Sequence, residues 1–246
     1  MIKIELIKGK ELDLKGYTLI EAFPGVGLVG PMAASYLIEK LGMKGIGYIE
    51  SDAFPPIAAI HGAVPMFPAR IYKNEKYKIV LFMSEFTIPP NAVNQLSEEM
   101  LAFTRKYGIS KIVSVGGMPT QKPAESVYLA SNDQSMVKKA SGNEVKPIQE
   151  GVVAGVSAAL LTKSGIYNIP AIDILVEVNA GFMDPKYAEK AINVLNKLLS
   201  VNIDLEELDK EAKVVEARIK EMVEKVKDTH DRYANTAVGA GPSMYA

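Results

Sequence analysis

A chain of 246 residues, 48% apolar and 23% charged, can build one large or two small domains around a substantial core. Its formal net charge of −1 supplies no broad basic field, so nucleic acid is not an expected partner. With no cysteine and only two histidines, His61 and His230, disulfides and thiolate metal sites are excluded, an imidazole site is hard to assemble, and no metal is expected.

The opening stretch MIKIELIKGKELDLKG lacks the apolar core of a signal peptide. No apolar run approaches the roughly 18 residues of a membrane span. The expected location is therefore cytoplasmic, with no membrane partner.

Strand-like runs rich in Ile, Val, Leu and Tyr recur at 17–23, 45–50, 69–73, 77–84, 110–115, 126–130 and 171–178. Helical periodicity falls between them, at 32–41, 93–107, 135–140, 152–163 and 185–200, the last opening with Asp184 as N-cap and Pro185 in the first turn. YKIVLFMS and AIDILVEV are apolar at nearly every position, which suits strands covered on both faces. The pattern predicts an α/β sandwich with a mostly parallel sheet over residues 1–203.

Beyond it, Leu205, Leu208, Ala212, Val215, Ile219, Met222 and Val226 alternate spacings of three and four, the rhythm of a narrow helical seam. This predicts a C-terminal helix over 204–233, docked on its own domain or shared between subunits. Residues 234–246 lose periodicity and read as a flexible tail that closes on Met244, Tyr245 and Ala246.

The glycines of FPGVGLVG, Gly25, Gly27 and Gly30, stand at the GxGxxG spacing between a strand and a helix. In a dinucleotide-binding turn they would permit a tight turn, pyrophosphate approach and close helix packing, and Glu50 or Asp52 would supply the ribose-binding acid. Pro24 and Pro31 make this corner stiffer than that fingerprint requires, so the competing reading is a structural corner. Elsewhere, His61 has no nucleophile at motif spacing, Glu85 and Glu177 fall near strand ends where acid/base groups can sit, and VGGMPT at 115–120 either receives an anion or turns the chain. No complete catalytic set emerges.

Five stretches together resemble the proteasome assembly chaperone family, in particular its archaeal homologues. They are FPGVGLVGPMAASYLIEKL (23–41), IVSVGGMPT (112–120), VYLASND (127–133), GVVAGVSAALLTKSG (151–165) and LVEVNAGFMDPKYAEKAINVL (175–195). The resemblance covers residues 17–205. It implies a three-layer α/β/α sandwich similar to nucleoside phosphorylases, carrying no enzymatic site and no cofactor and serving as a scaffold for tetramers or pentamers. Under it Gly25, Gly27 and Gly30 are structural.

It also implies a use for the tail. Archaeal members can end in a hydrophobic-Tyr-X motif like that of proteasome activators, here Met244, Tyr245 and Ala246, which would dock on the α-ring of the core proteasome to assist assembly or open the gate. A tail masked until a further protein partner releases it is also compatible with the resemblance. The alternative is a nucleotide-binding or phosphorylase-like enzyme using the Gly25–Gly30 turn.

Overall fold

The computed structural model describes residues 1–7, 12–120, 126–179 and 183–205. Its strands are β1 (Ile2–Leu6), β2 (Thr18–Ala22), β3 (Lys44–Ser51), β4 (Ala59–His61), β5 (Val64–Met66), β6 (Ala69–Asn74), β7 (Ile79–Ser84), β8 (Lys111–Pro119), β9 (Val127–Ser131), β10 (Val145–Pro147) and β11 (Ala171–Val178). The helices are α1 (Val29–Lys40), α2 (Pro90–Lys106), α3 (Gln134–Ala140), α4 (Val156–Ile166) and α5 (Pro185–Leu199).

Nine strands form one sheet in the order β1-β3-β6-β7-β2-β8-β11-β9-β10, and β4 and β5 make a separate hairpin. The centre, β7-β2-β8-β11, is parallel. Antiparallel pairings flank it through β1, β3, β6 and β7 on one side and between β11 and β9 on the other. The parallel expectation thus describes the middle of a mixed sheet.

Both faces of the sheet are covered. Met32 and Leu37 of α1, Val137 of α3 and Ile192 of α5 pack with Ile20, Leu81 and Ile174 on one face. Leu96 and Phe103 of α2 and Leu160 of α4 pack with Leu19, Phe82 and Ile112 on the other. Neighbouring residues of one strand enter opposite clusters because side chains alternate across a sheet. This double burial explains why β7 and β11 are buried along their whole length.

Local chemistry sets the helix ends. The Asp184 carboxylate accepts from the Lys186 backbone N–H at 2.9 Å and Asp133 caps Ser135 in the same way at 2.8 Å, each satisfying a donor left open by the first turn. α1 and α2 start about a turn earlier than periodicity suggests, because Pro31 and Pro90 sit in first turns where a missing N–H costs nothing. α4 starts later, at Val156, since Gly155 has a φ of 85° that no helix accommodates.

The strands β1, β4, β5 and β10 lie outside the predicted runs. β1 alternates between facing the core and solvent and pairs antiparallel with β3. The β4–β5 hairpin turns through Gly62 and Ala63, both at positive φ, as a two-residue primed turn requires. Past α5, the Asn196 side chain bonds both the N–H and the C=O of Ile203, at 2.9 and 3.1 Å. The Tyr36 hydroxyl donates to the Asp204 carbonyl, so the chain leaves the core on the α1/α5 side. The helix expected over 204–233 falls almost entirely, and the tail 234–246 wholly, outside the described residues.

Candidate functional site

β2 ends in a corner. Gly25 is extended, residues 26–28 form a short 3-10 turn in which Gly27 has a φ of 68°, and Leu28 enters α1 from the left-handed region. A Cβ on Gly30 would lie 2.8 Å from the Val115 carbonyl oxygen and 3.0 Å from that of Phe23, and one on Gly27 would meet the Val178 side chain at 3.0 Å. Protein atoms from β2, β8 and β11 therefore occupy the space beside these two glycines. Gly25 alone of the three is open, with nothing within 4 Å.

The acid that a dinucleotide site would need is elsewhere. β6 and β7 stand between β3 and β2. Asp52 pairs instead with the Met1 amino group at 2.8 Å, and Glu50 lies 3.8 Å from Lys3.

VGGMPT does not turn the chain but forms the carboxyl end of β8. β8 runs on through Gly116 and Gly117, paired with Leu175 and Val176 of β11. A Cβ on Gly117 would sit 2.1 Å from the Val26 carbonyl oxygen, so the bare glycine is what lets the 26–28 turn lie on the sheet. Gly117→Ala must displace that backbone, and it is expected to cost about 1–3 kcal/mol or more. Thermal unfolding reads this as a fall of about 2–4 °C in Tm for each kcal/mol in a chain of this size.

A cleft of about 460 Å³ opens where β2 and β8 end, between the glycine corner and the segment leading into α4. Glu21 of β2 lines it. On the same face, Glu21 is in register with Ser114 of β8, and Ser114 with Asp173 of β11. Glu21 is 4% exposed and Asp173 fully buried. The Phe23 N–H donates to Glu21 Oε1 at 3.0 Å. Glu21 Oε2 and both Asp173 oxygens complete no hydrogen bond among the described residues.

Burial disfavours the charged form of each acid. It pushes the Glu21 carboxyl up to about 7, the bond from Phe23 and the Ser114 hydroxyl working against the rise and the nearby Asp173 adding to it. It pushes Asp173 up to about 6, with the Ser157 hydroxyl opposing. Both acids stand inside the strands TLIEA and AIDILVEV. A charge embedded in an apolar strand is the signal that could have marked them.

Of the other candidates, His61 and Glu85 meet, and Glu177 stands apart from them. Glu85, just past β7, bonds Arg70 of β6 and lies 2.6 Å from His61 Nε2. Glu177 of β11 accepts from the Ser126 N–H at 3.4 Å. Two strands, β2 and β8, intervene between β7 and β11, so Glu85 and Glu177 are about 14 Å apart across the sheet and form no acid/base pair. Among the described residues no cluster of His, Asp or Glu is placed to hold a metal ion, and no helix is long and apolar enough to cross a membrane. Met244, Tyr245 and Ala246 lie outside the described residues.

The sheet between two helical layers, with its glycine corner folded against β8, defines an α/β/α sandwich. Over residues 19–223 the chain matches the PAC2 family, and it belongs to that family. An uncharacterized protein of Methanocaldococcus jannaschii is 32% identical, over 90% of this chain and 91% of that protein. PbaA of Pyrococcus furiosus, an archaeal homolog of proteasome-assembly chaperone, superposes with a TM-score of 0.81 at 28% identity, covering 94% of this chain and all of PbaA. PbaB of the same organism, an archaeal proteasome activator, shares the fold with a TM-score of 0.75 at 23% identity, covering 89% of this chain and 98% of PbaB.

Proposed function

We propose that this protein is a homo-oligomeric homologue of the proteasome assembly chaperones and that it docks on the α-ring of the core proteasome through Met244, Tyr245 and Ala246. What supports the reading is its likeness to PbaA over nearly the whole chain, together with the hydrophobic-Tyr-X ending of the sequence. Met244 fills an apolar slot between adjacent ring subunits. Tyr245 packs its ring there and offers its hydroxyl as a hydrogen-bond partner, and the Ala246 carboxylate pairs with a lysine of the pocket.

A three-residue contact is weak alone. A tetramer or pentamer presents several such tails, so affinity rises through effective concentration and depends steeply on assembly. Fully extended, the tail from Ala234 reaches about 40 Å, enough to bridge imperfectly matched symmetries.

The test is capture of archaeal core proteasome by the intact protein, by Tyr245→Ala and by a form lacking residues 244–246, with peptide hydrolysis followed in the same samples. Tyr245→Ala is expected to weaken capture about tenfold or more, and the truncation to abolish it while light scattering shows the oligomer unchanged. Faster hydrolysis with the intact protein identifies gate opening, and unchanged hydrolysis identifies assembly help. Equal capture by all three forms removes the tail from the mechanism. If none captures, a further protein partner that unmasks the tail is the next addition.

A further inference from the structure

β1 is an edge of the nine-stranded sheet, and among the described residues no strand covers its outer side. Its pairing with β3 fixes which backbone groups face outward. The Ile7 N–H donates to the Ile46 carbonyl at 2.9 Å, in the register that sets Leu6 against Gly47. The Glu5 carbonyl oxygen lies where a Cβ on Gly47 would stand, so it too points toward β3. Because the direction alternates along an antiparallel strand, Lys3, Glu5 and Ile7 bond inward and Ile2, Ile4 and Leu6 turn their N–H and C=O groups outward. Such a row is a template for another strand.

The residues themselves, MIKIELI over 1–7, are self-complementary about Ile4. Laid antiparallel against a second copy with Ile4 facing Ile4, the strand sets Ile2 against Leu6, Lys3 against Glu5 and Met1 against Ile7. The outward residues then exchange backbone bonds with one another. They also keep one apolar face on the joint sheet, since Ile2 belongs to the core that α2 covers and Ile4 and Leu6 pack against it. On the other face Lys3 and Glu5 are exposed, and opposed pairs without mutual backbone bonds bring their side chains closest. Met1 and Ile7, 77% and 60% exposed, cover each other at the two ends of that face. Sliding the copy by two residues either way would set Lys3 against Lys3 or Glu5 against Glu5, so charge selects this register.

We propose that β1 is a two-fold interface between copies of this chain, an antiparallel β1–β1 junction that joins two nine-stranded sheets into one. The inference rests on the homo-oligomer reading above and narrows it. A two-fold contact uses the same patch on both subunits and closes in pairs, whereas a ring of five is made of head-to-tail contacts. The junction therefore builds a tetramer from dimers and has no place in a pentameric ring. Because it extends the sheet in its own plane, it leaves uncovered the α1/α5 face, from which the chain runs on toward its tail.

The test is the mass of the full chain in solution, by light scattering behind a sizing column. Wild type is expected at an even multiple of the chain mass, a tetramer, and Ile4→Pro at half of it. The proline removes an outward N–H and leaves the bonds of Lys3 and Glu5 to β3 in place. Lys3→Glu sets like charges opposite each other and should also halve the mass, and adding Glu5→Lys to it should restore the tetramer. Circular dichroism melting shows which variants are folded, and if Ile4→Pro is not, the charge variants decide. A pentameric wild type, or a mass that folded Ile4→Pro and Lys3→Glu leave unchanged, overturns the junction and leaves the homo-oligomer reading standing. Unchanged mass with loss of proteasome capture would assign the edge to a strand of the proteasome instead. A monomeric wild type overturns both readings.

Discussion

Glu85→Ala is expected to destabilise the fold by about 3–5 kcal/mol, the cost of leaving a buried charge without its partner. The charge is Arg70. Its side chain and that of Glu85 are each only 8% exposed, so water offers the guanidinium little compensation. Arg70 Nη1 donates to the Phe67 carbonyl at 3.0 Å, while Nε and Glu85 Oε2 find no partner among the described residues. The pair is thus already incompletely satisfied, and removing the carboxylate leaves the guanidinium one carbonyl and a nearby imidazole.

The effect should spread to the β4–β5 hairpin, since His61 of β4 holds Glu85 and Phe67, just past β5, holds Arg70. Urea unfolding gives the loss as a lower midpoint at unchanged slope. The discriminating variant is Arg70→Met with Glu85→Leu. If the penalty is an unpaired buried charge, the double variant recovers most of the loss, whereas equal destabilisation would assign the effect to packing.

The second large effect is on pH dependence. Folding raises the Glu21 carboxyl from 4.5 to about 7 and Asp173 from 3.8 to about 6, each chiefly by burial. Between the unfolded and folded values the native state holds protons that the unfolded chain has lost. Stability therefore falls as pH rises through that window and levels off above the folded values. For Glu21 alone the rise corresponds to about 3 kcal/mol, and the two acids, being coupled, contribute less than their sum.

Glu21→Gln should be more stable than wild type at pH 8 by about that amount and nearly equal to it at pH 4. The measurement is the difference in unfolding free energy between variant and wild type across this range, which cancels the titration of all other groups. A flat difference would mean that Glu21 is already solvated in the folded protein.

How far the sequence carries the fold follows from which residues answer to local rules. β7 and β11 were legible because unbroken apolar runs belong to strands buried on both faces. α5 was legible because Asp184 and Pro185 mark its start. Strand direction is not a local property. β6 and β9 carry the same kind of residues as their neighbours, yet β6 runs antiparallel to β7 and β9 antiparallel to β11, since the connections decide orientation.

The glycine corner shows the same division. Its spacing is equally that of a phosphate-binding turn, and only the positions of the Val115, Phe23 and Val26 carbonyls reveal what fills the space beside Gly30 and Gly117. Glu21 and Asp173 could be seen as charges in apolar strands, but their alignment through Ser114 requires the register of three strands distant in sequence.

By itself, then, the amino-acid sequence determined the α/β class, most of the strands and the five described helices, and the family resemblance, because each of these is written in neighbouring residues or in the order of motifs along the chain. The tertiary structure alone decided the mixed sheet, the separation of Glu85 from Glu177, the passage of β8 through its glycines and the cleft over Glu21. Each of these depends on which distant segments share a face, and that is settled only when the chain closes its cores.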